Sequence, residues 1–461
     1  MSDIGFSCII LAAGRGTRMN SPLPKILHPV AGLPMITRVV QAVQDAGAEE
    51  VRVVVGYGEA LVRQVVEPLG VQAFKQSNQF GTADAVKAAE PSSMRGTVLI
   101  LNGDHPLLTS ADIGDLFHRF KESKSTLAVV TCELDNPGSF GRIVRHKGEL
   151  KAIVESKDAS SDTLKINEVN TGIYMVRTSV LNQYLPRIKN HNAKNEYYLT
   201  DLVGLCIEGR ETVTTLKAQE YVAFGVNTQA ELASATKKVF RRKAEQLMES
   251  GVMILDSDTT YVEDSVQVGP ASVLYPGVYL KGKTKIGQYC VVEPHSLIAD
   301  CTLEDSVIVR AGSYLEGTSI KSKATIGPYA RLRPGTEIGT EAHVGNFVEM
   351  KKVKFGDYAK AGHLTYLGDA QIGERTNIGC GTITCNYAPD HQKYRTIIGK
   401  NVFVGSDTQF IAPITIGDGA VIGSGSTITK NVPDNALAVA RGRQVTKENY
   451  VAKKPEPKEE E

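Results

Sequence analysis

The chain of 461 residues has no tryptophan, no C-x-x-C pair among its seven cysteines and no charge bias, with 52 Lys and Arg against 51 Asp and Glu. It also lacks any apolar run near the roughly 20 residues that a membrane-spanning helix needs. Scattered cysteines in odd number argue against a disulfide framework or a zinc knuckle and predict reduced thiols. Balanced charge supplies no field to draw the chain to nucleic acid or an anionic membrane. Small molecules and further copies of the chain are the partners left. The first apolar run, Phe6 to Ala13, is too short for a secretory signal core and ends in Gly14-Arg15-Gly16. Together these absences predict a cytoplasmic protein with no nucleic-acid binding and no membrane insertion.

Glycine is plentiful instead, and unevenly so. Residues 1–250 hold 19 of the 43 glycines and residues 251–461 hold 24, about 8% against about 11%, where about 7% is usual. The length suggests roughly three folding units at about 150 residues each. In residues 1–228, short β-branched runs (Ser7 to Leu11, Val51 to Val55, Thr97 to Leu101, Thr126 to Val130) alternate with amphipathic stretches at 34–46, 82–90, 109–121, 178–187 and 196–208. Short apolar runs between turn formers are strands buried on both faces. Their alternation with helices predicts an α/β domain built on a mostly parallel sheet, with ligands beyond the carboxyl ends of the strands.

Thr228-Gln-Ala-Glu231 matches a capping box and opens a helix expected to run to about Ser250. Leu232, Val239, Phe240, Leu247 and Met248 form its apolar stripe, Lys237, Lys238, Arg241, Arg242 and Lys243 its solvated face, and Gly251 its stop. Residues 229–250 are therefore expected to be a helical linker.

Beyond Gly251 the period becomes six. Val262, Val268, Leu274, Leu280, Ile286, Val292 and Ile298 follow at unbroken six-residue steps, and the series recurs with one-residue slips as far as Ile428. That period belongs neither to a helix (about 3.6) nor to a simple strand (2). It predicts a parallel solenoid with three flat faces per coil of about 18 residues, the aliphatic pointing into a narrow prism and the glycine that often follows it relieving the corner. About nine coils stack at roughly 4.8 Å. The lapse between Ile378 and Ile398 predicts a loop at about 384–396, and Val451 to Glu461 (VAKKPEPKEEE) is expected to be a disordered tail.

The stretch Leu11-Ala-Ala-Gly-Arg-Gly-Thr-Arg-Met19 follows the first strand. It has neither the third glycine of a dinucleotide fingerprint nor the ending of a Walker loop. Its residues alone allow two readings: a turn whose backbone N–H groups wrap phosphates, with Arg15, Arg18 and Lys25 as cations, or an ordinary tight turn with solvated arginines. Together with Leu23-Pro-Lys25 it resembles the opening of the sugar-1-phosphate nucleotidylyltransferases. Gln76-Ser-Asn-Gln-Phe-Gly81-Thr82-Ala, Asn102-Gly-Asp104, Phe140-Gly141-Arg142-Ile, Val154-Glu155, Asn170-Thr-Gly172-Ile and Gly225-Val-Asn227 follow in order, as in the uridylyltransferase half of the bifunctional GlmU family.

The resemblance implies a Rossmann-like nucleotidylyltransferase domain over residues 1–228. Leu11, Ala12, Ala13, Gly14, Gln76, Gly81 and Thr82 would hold the uridine nucleotide. Gly141, Glu155 and Asn170 would hold the N-acetylglucosamine moiety, Asn102, Gly103 and Asp104 would also bind UTP or UDP-N-acetylglucosamine, and Asp104 with Asn227 would hold Mg²⁺. Attack of a sugar phosphate on the α-phosphorus of UTP exchanges similar P–O bonds, so catalysis means positioning two polyanions and neutralising spreading charge. Arg18 and Lys25 suit that task, and Mg²⁺ is satisfied by a few oxygen ligands plus phosphates and water. Asn102 and Phe80 stand where family members often carry Tyr and Leu.

In the second half, Arg331-Leu-Arg333-Pro-Gly, His343-Val-Gly-Asn-Phe-Val-Glu349-Met-Lys351-Lys, Lys360-Ala-Gly-His363-Leu-Thr-Tyr366-Leu-Gly-Asp, Asn377-Ile-Gly, Thr382-Ile-Thr-Cys-Asn386-Tyr387 and Val404-Gly-Ser406 are more polar than a prism needs. They resemble the glucosamine-1-phosphate N-acetyltransferase half of the same family. The resemblance implies a left-handed parallel β-helix of hexapeptide repeats over residues 251–461, assembled as a homotrimer. Ala361 takes the inward position, leaving His363 two residues on unconstrained by the prism and suited, as a neutral imidazole, to general base work. By resemblance it deprotonates glucosamine-1-phosphate during attack on acetyl-CoA, the acetyl donor. Glu349 is a candidate to orient it. Arg333 and Lys351 would grip the sugar phosphate, and Tyr366, Asn377, Asn386 and Tyr387 would line the acceptor pocket. Cys380, Asn386, Tyr387, Ser406, Ser424 and Arg441 would contact acetyl-CoA, Cys380 replacing the family's usual Ala. Two rivals stand beside this reading: a prism that only oligomerises, and a zinc site using His343 and His363.

Overall fold

The computed structural model describes residues 5–451, and the chain divides between Val239 and Phe240 into two units. The tail expected from about 451 falls, except for Val451, outside the described residues.

The first unit is a nine-stranded sheet. Its strands are β1 (Phe6–Ala12), β2 (Glu50–Val55), β3 (Gln72–Lys75), β4 (Thr97–Asn102), β5 (Leu127–Glu133), β6 (Arg142–His146), β7 (Glu149–Val154), β8 (Glu168–Arg177) and β9 (Val213–Lys217). Along the main path the order is β9-β5-β8-β4-β1-β2-β3, with the β6–β7 hairpin attached to β8. Pairing is parallel except around β8, which runs antiparallel to β4, β5 and β6, and within the antiparallel β6–β7 hairpin. Alternate residues of β1 feed opposite cores. Cys8, Ile10 and Ala12 pack with α1 (Met35–Asp45) and α4 (Ser110–Ser123), whereas Ile9 packs with α3 (Thr82–Ala88) and α6 (Asp201–Glu208); α2 (Glu59–Val66) joins the first of these cores and α5 (Thr178–Tyr184) the second. Both faces are thus covered, which explains why these strands read as continuous apolar runs.

The stretch expected to be helical from 196 becomes so only at Asp201, because Tyr197 is held in extended pairing by its N–H to Phe80 O (2.7 Å) and its carbonyl to Ala83 N (2.9 Å). The helix α7 (Gln229–Glu249) opens on the expected capping box: Glu231 N donates to Thr228 Oγ1 (3.2 Å) and Thr228 N to Glu231 Oε2 (2.9 Å). Its buried stripe is Ala235, Val239, Phe240, Ala244 and Leu247, and Met248, expected on it, is 37% exposed. Lys243 is not freely solvated, since its Nζ donates to Asp264 O (2.9 Å).

The second unit is the expected solenoid. Its parallel strands superpose Leu280 on Ile298, Ile298 on Leu315 and Leu315 on Leu332, steps of 18, 17 and 17 residues that explain the one-residue slips. The inward aliphatics form one buried column from Val262 to Val432. Each such side chain contributes about 1.5–3 kcal/mol by leaving water. The glycines after them have a different reason than expected. Gly269, Gly339, Gly356 and Gly379 are needed because a Cβ there would lie 2.5–2.7 Å from the backbone of the next coil. Many positive-φ corners carry other residues, Tyr329, Phe347, Leu364 and Asp407 among them. The corner also uses buried hydroxyls that a count of aliphatics misses: Thr382 Oγ1 donates to Gly379 O (2.7 Å) and Thr408 Oγ1 to Gly405 O (2.7 Å).

The expected loop is present but shorter. Thr384 stays inside the prism, 1% exposed, with its Oγ1 accepting from Gly368 N (2.7 Å). It pairs with Phe410, a step of 26 residues. The excess forms a small excursion between Cys385 and Thr396, pinched by an antiparallel bridge from Tyr387 to Lys393.

Candidate active sites

In the first unit the glycine-rich turn leaves β1 at its carboxyl end. Gly16 has φ +64°, and a Cβ there would lie 2.5 Å from Lys25 Cβ. A side-chain-free left-handed residue is what lets Lys25 fold in beside the turn. Lys25 Nζ then meets the Asp104 carboxylate, which follows the end of β4, and donates to Asn227 Oδ1 (2.7 Å); Arg18 Nη2 donates to the same oxygen (2.9 Å). Asn227 is itself anchored, its N–H donating to Glu231 Oε2 (2.7 Å), so the capping box at the start of α7 also fixes a site residue.

Burial pushes the Asp104 carboxyl up, but the charges of Lys25 and His105 outweigh it and hold the group below its ordinary value. Burial keeps the neighbouring His105 imidazole low. Asp104 Oδ1 is buried without a hydrogen-bond partner. One ionised carboxylate with a spare oxygen beside a carboxamide oxygen is a donor set that fits a hard divalent cation completed by phosphates and water. Among the described residues no group of three His, Cys, Asp or Glu could hold a metal ion alone.

Two clefts meet here. One, of about 400 Å³, is lined by Leu11, Ala12, Ala13, Gly14, Arg18, Lys25, Gln76, Gly81, Thr82, Asn102, Asp104 and Asn227. The other, of about 330 Å³, holds Gly141, Glu155 and Asn170 and shares Leu11, Arg18, Thr82, Asn102, Asp104 and Asn227 with the first. The expected nucleotide and sugar residues therefore fall into separate clefts with a common wall of charged and polar groups. Gly103 lies behind that wall, its N–H bonded to Leu11 O (2.9 Å).

Second contacts hold these residues still. Gln76 is 5% exposed and its amide donates to Gly81 O (3.1 Å) and Asp84 Oδ2 (2.8 Å). A bulge in β8 between Asn170 and Tyr174 turns Asn170 so that its amide donates to Tyr174 Oη (2.7 Å), with Gly172 at φ +80°. Burial raises the Glu155 carboxyl, and Thr200 Oγ1 donates to it (3.3 Å). Gln79, His105, Thr200 and Glu231 also line the clefts, and the sequence motifs do not single them out. Gln79 sits inside the stretch from Gln76 to Ala83, and Glu231 reads from the sequence only as a cap.

In the second unit the long strands β10 (His343–Lys351) and β11 (Lys360–Gly368) carry most of the expected residues. They bend over one prism corner and stay paired through it, Val344 on Ala361, Asn346 on His363 and Val348 on Thr365. The next coil places Ile378 beside Ala361, and those after it place Val404 and Ile422 in turn. Two residues beyond each of these aliphatics stand His363, Cys380, Ser406 and Ser424, which therefore form one column along the corner. Arg441 reaches it by donating from Nη1 to Ser424 O (2.8 Å).

Past the corner, Arg333 lies beside Lys351 in register, and Glu349 beside Tyr366. Lys393, brought in by the excursion, lies close to Lys351, and its charge, followed by that of Arg333, holds that ammonium below the ordinary lysine range. Three cations thus crowd one patch, which suits a phosphate. Lys393 escapes a reading of the sequence, because nothing in the hexad pattern says where an excursion folds back. Asn386 is 7% exposed and donates to Asp369 Oδ2 (2.6 Å); Tyr387 is 60% exposed and bonds His391 Nδ1 (2.7 Å). Asn377 pairs with Lys360 of β11. Glu349 does not orient His363: it accepts from Arg333 Nη1 (2.9 Å). The partner of His363 Nδ1 is Asn346 Oδ1, at 2.7 Å.

Residues 8–192 match the family model described as MobA-like NTP transferase domain, and residues 395–430 the model described as Bacterial transferase hexapeptide (six repeats). The "Bifunctional protein GlmU" of Bdellovibrio bacteriovorus is 62% identical over 453 residues, 98% of this chain and 99% of the relative. Proteins of the same name from Carboxydothermus hydrogenoformans and Trichlorobacter lovleyi are 45% and 43% identical, over 96% and 97% of this chain and 99% and 98% of theirs.

Proposed function

Because this chain belongs to the bifunctional GlmU family, and is an enzyme with a uridylyltransferase half and an acetyltransferase half, we propose the following division of labour. Residues 251–461, a left-handed β-helix of hexapeptide repeats, transfer acetyl from acetyl-CoA to glucosamine-1-phosphate. Residues 1–228 transfer UMP from UTP to the N-acetylglucosamine-1-phosphate so formed, and residues 229–250 link them. The product, UDP-N-acetylglucosamine, feeds cell-wall precursor synthesis, which places the enzyme in the cytoplasm. Among the described residues no helix is long and apolar enough to cross a membrane.

In the first half the nucleotide lies in the larger cleft and the sugar phosphate in the smaller, so that a phosphate oxygen faces the α-phosphorus across the shared wall. The new P–O bond forms as the bond to pyrophosphate breaks. Arg18 and Lys25 neutralise the charge that spreads in between. Mg²⁺, when bound by Asp104 and Asn227, supplies Lewis-acid polarisation of the phosphates. Lys25, held between Asp104 and Asn227, sets its ammonium against a phosphate oxygen.

In the second half Arg333, Lys351 and Lys393 take the sugar phosphate, and the thioester lies along the corner column beside His363. Nε2 of His363 removes a proton from the amine as nitrogen attacks the thioester carbon; the C–S bond then breaks and the proton passes to the CoA sulfur. Tyr329 (57% exposed), Phe347 (55%) and Leu364 (59%) form an apolar ladder on this corner, with the two aromatic rings stacked at 5.6 Å. Such a ladder supports a homotrimer in which a neighbouring copy covers the site. The observation that carries the reading is that each half gathers its own motif residues into one place. Incubation with glucosamine-1-phosphate, acetyl-CoA, UTP and Mg²⁺ is expected to release both CoA and pyrophosphate; absence of CoA release would remove the second activity.

A further inference from the structure

The corner that carries His363 is built unlike the others. Elsewhere in the prism the strands are two or three residues long and stop at the corners, but β10 and β11 are each nine residues and remain in register for seven pairs straight through this one. Gly345 makes that possible, since a Cβ on it would overlap Gly362 O of the next coil. The backbone closure sets Asn346 directly over His363, 17 residues and one coil apart, with Oδ1 at 2.7 Å from Nδ1. A carboxamide oxygen only accepts, so Nδ1 must carry the hydrogen, which leaves the lone pair on Nε2. Both side chains belong to strands, the rigid elements on which site geometry is held best.

We propose that Asn346 is the positioning residue of the acetyl-transfer site: it fixes the His363 ring and its tautomer so that Nε2 is the base. This rests on the assignment of His363 made above. The amide serves where a carboxylate would raise the base's affinity for its proton. The charged and titratable neighbours of the pair are His343 on β10, which faces His363, and the Arg310 and Lys360 cations that face His343. Arg310 and Lys360 bring positive charge to this side of the pair, and the carboxamide adds no charge of its own.

The test measures acetyl transfer and uridylyl transfer in the same full-length chain for Asn346→Ala, Asn346→Asp and His363→Ala. For Asn346→Ala, kcat of acetyl transfer is expected to fall about 10–100-fold, as for loss of a group that orients a first-line residue, with the KM for both acetyl-transfer substrates within about twofold and uridylyl transfer unchanged. For Asn346→Asp, which keeps the acceptor and adds charge, activity at high pH is expected to be retained while the acidic limb of the rate profile moves up by about 1–2 pH units. An Ala variant within about twofold of the parent kcat, or an Asp variant whose acidic limb does not move, overturns the proposal. If His363→Ala itself keeps acetyl transfer, the base assignment falls; if it is inactive while Asn346→Ala is not, only the positioning role falls.

Discussion

Asp104 and His363 show how differently the two halves hold a reactive group. The Asp104 side chain is 18% exposed, has one oxygen buried without a hydrogen-bond partner, and sits where two clefts of a single chain share a wall. His363 stands on an open corner of the prism, its ring bonded to Asn346 Oδ1. A doubly wound sheet gathers loops from many strands around one point, so a single copy can enclose a phosphate-binding site. A three-faced prism has no loops converging on one point in this way, because its interior is filled by one aliphatic per face. Its polar residues sit outside instead, along a column on one corner.

That contrast has measurable consequences. The largest belongs to the buried group: Asp104→Ala is expected to lower uridylyl transfer by about 10³-fold or more, while acetyl transfer, followed by CoA release, stays within about twofold. Next comes the prism's dependence on its narrow core. Ile326 is fully buried, and Ile326→Ala is expected to cost about 2–5 kcal/mol, read as an earlier loss of acetyl transfer than of uridylyl transfer on heating. Loss of both activities together would mean that the halves do not differ in this way.

A smaller effect separates the thiols. Cys8, Cys132 and Cys206 of the first unit are buried and burial raises them all, Cys132 to about 11 and Cys206 to about 12. Cys380 is half-buried, in the column beyond His363. Iodoacetamide is therefore expected to slow acetyl transfer and spare uridylyl transfer, and Cys380→Ala to remove most of that sensitivity; equal loss in both halves would contradict it. The smallest effect concerns pH. Burial, and then Arg310, Lys360 and His363, hold His343 below the ordinary histidine value of 6.5. Below that pH the unfolded chain takes the proton more readily than the folded one, so the prism loses stability as pH falls. His343→Gln is expected to flatten the decline in melting temperature between about pH 7 and 5.

The two halves also differ in how legible they are. The prism shows itself in the sequence because one aliphatic per six residues is a direct image of one face per hexad, and the slips record coils of 17 instead of 18 residues. What stays hidden there are contacts between coils: Asn346 on His363, Lys393 beside Lys351, and glycines required by a neighbour's backbone. A coil period known only to within one residue does not say which side chains stack. In the first half the buried parallel strands are legible, but β8 is not, because Asn170-Thr-Gly172 looks like a turn when it is a bulge in a strand. The motif residues of that half nevertheless gather in two clefts, since most of them lie at or near a strand end whose place the sheet fixes.

That one chain carries two independent reactions is tested most directly by preparing Asp104→Ala and His363→Ala separately and supplying each, and then their mixture, with glucosamine-1-phosphate, acetyl-CoA, UTP and Mg²⁺. The first variant is expected to release CoA but little pyrophosphate, and the second to release little of either. The mixture is expected to restore UDP-N-acetylglucosamine, because the acetylated sugar phosphate diffuses from one protein to the other. A mixture that stays inactive while the Asp104→Ala variant alone releases CoA would contradict the independence of the two reactions.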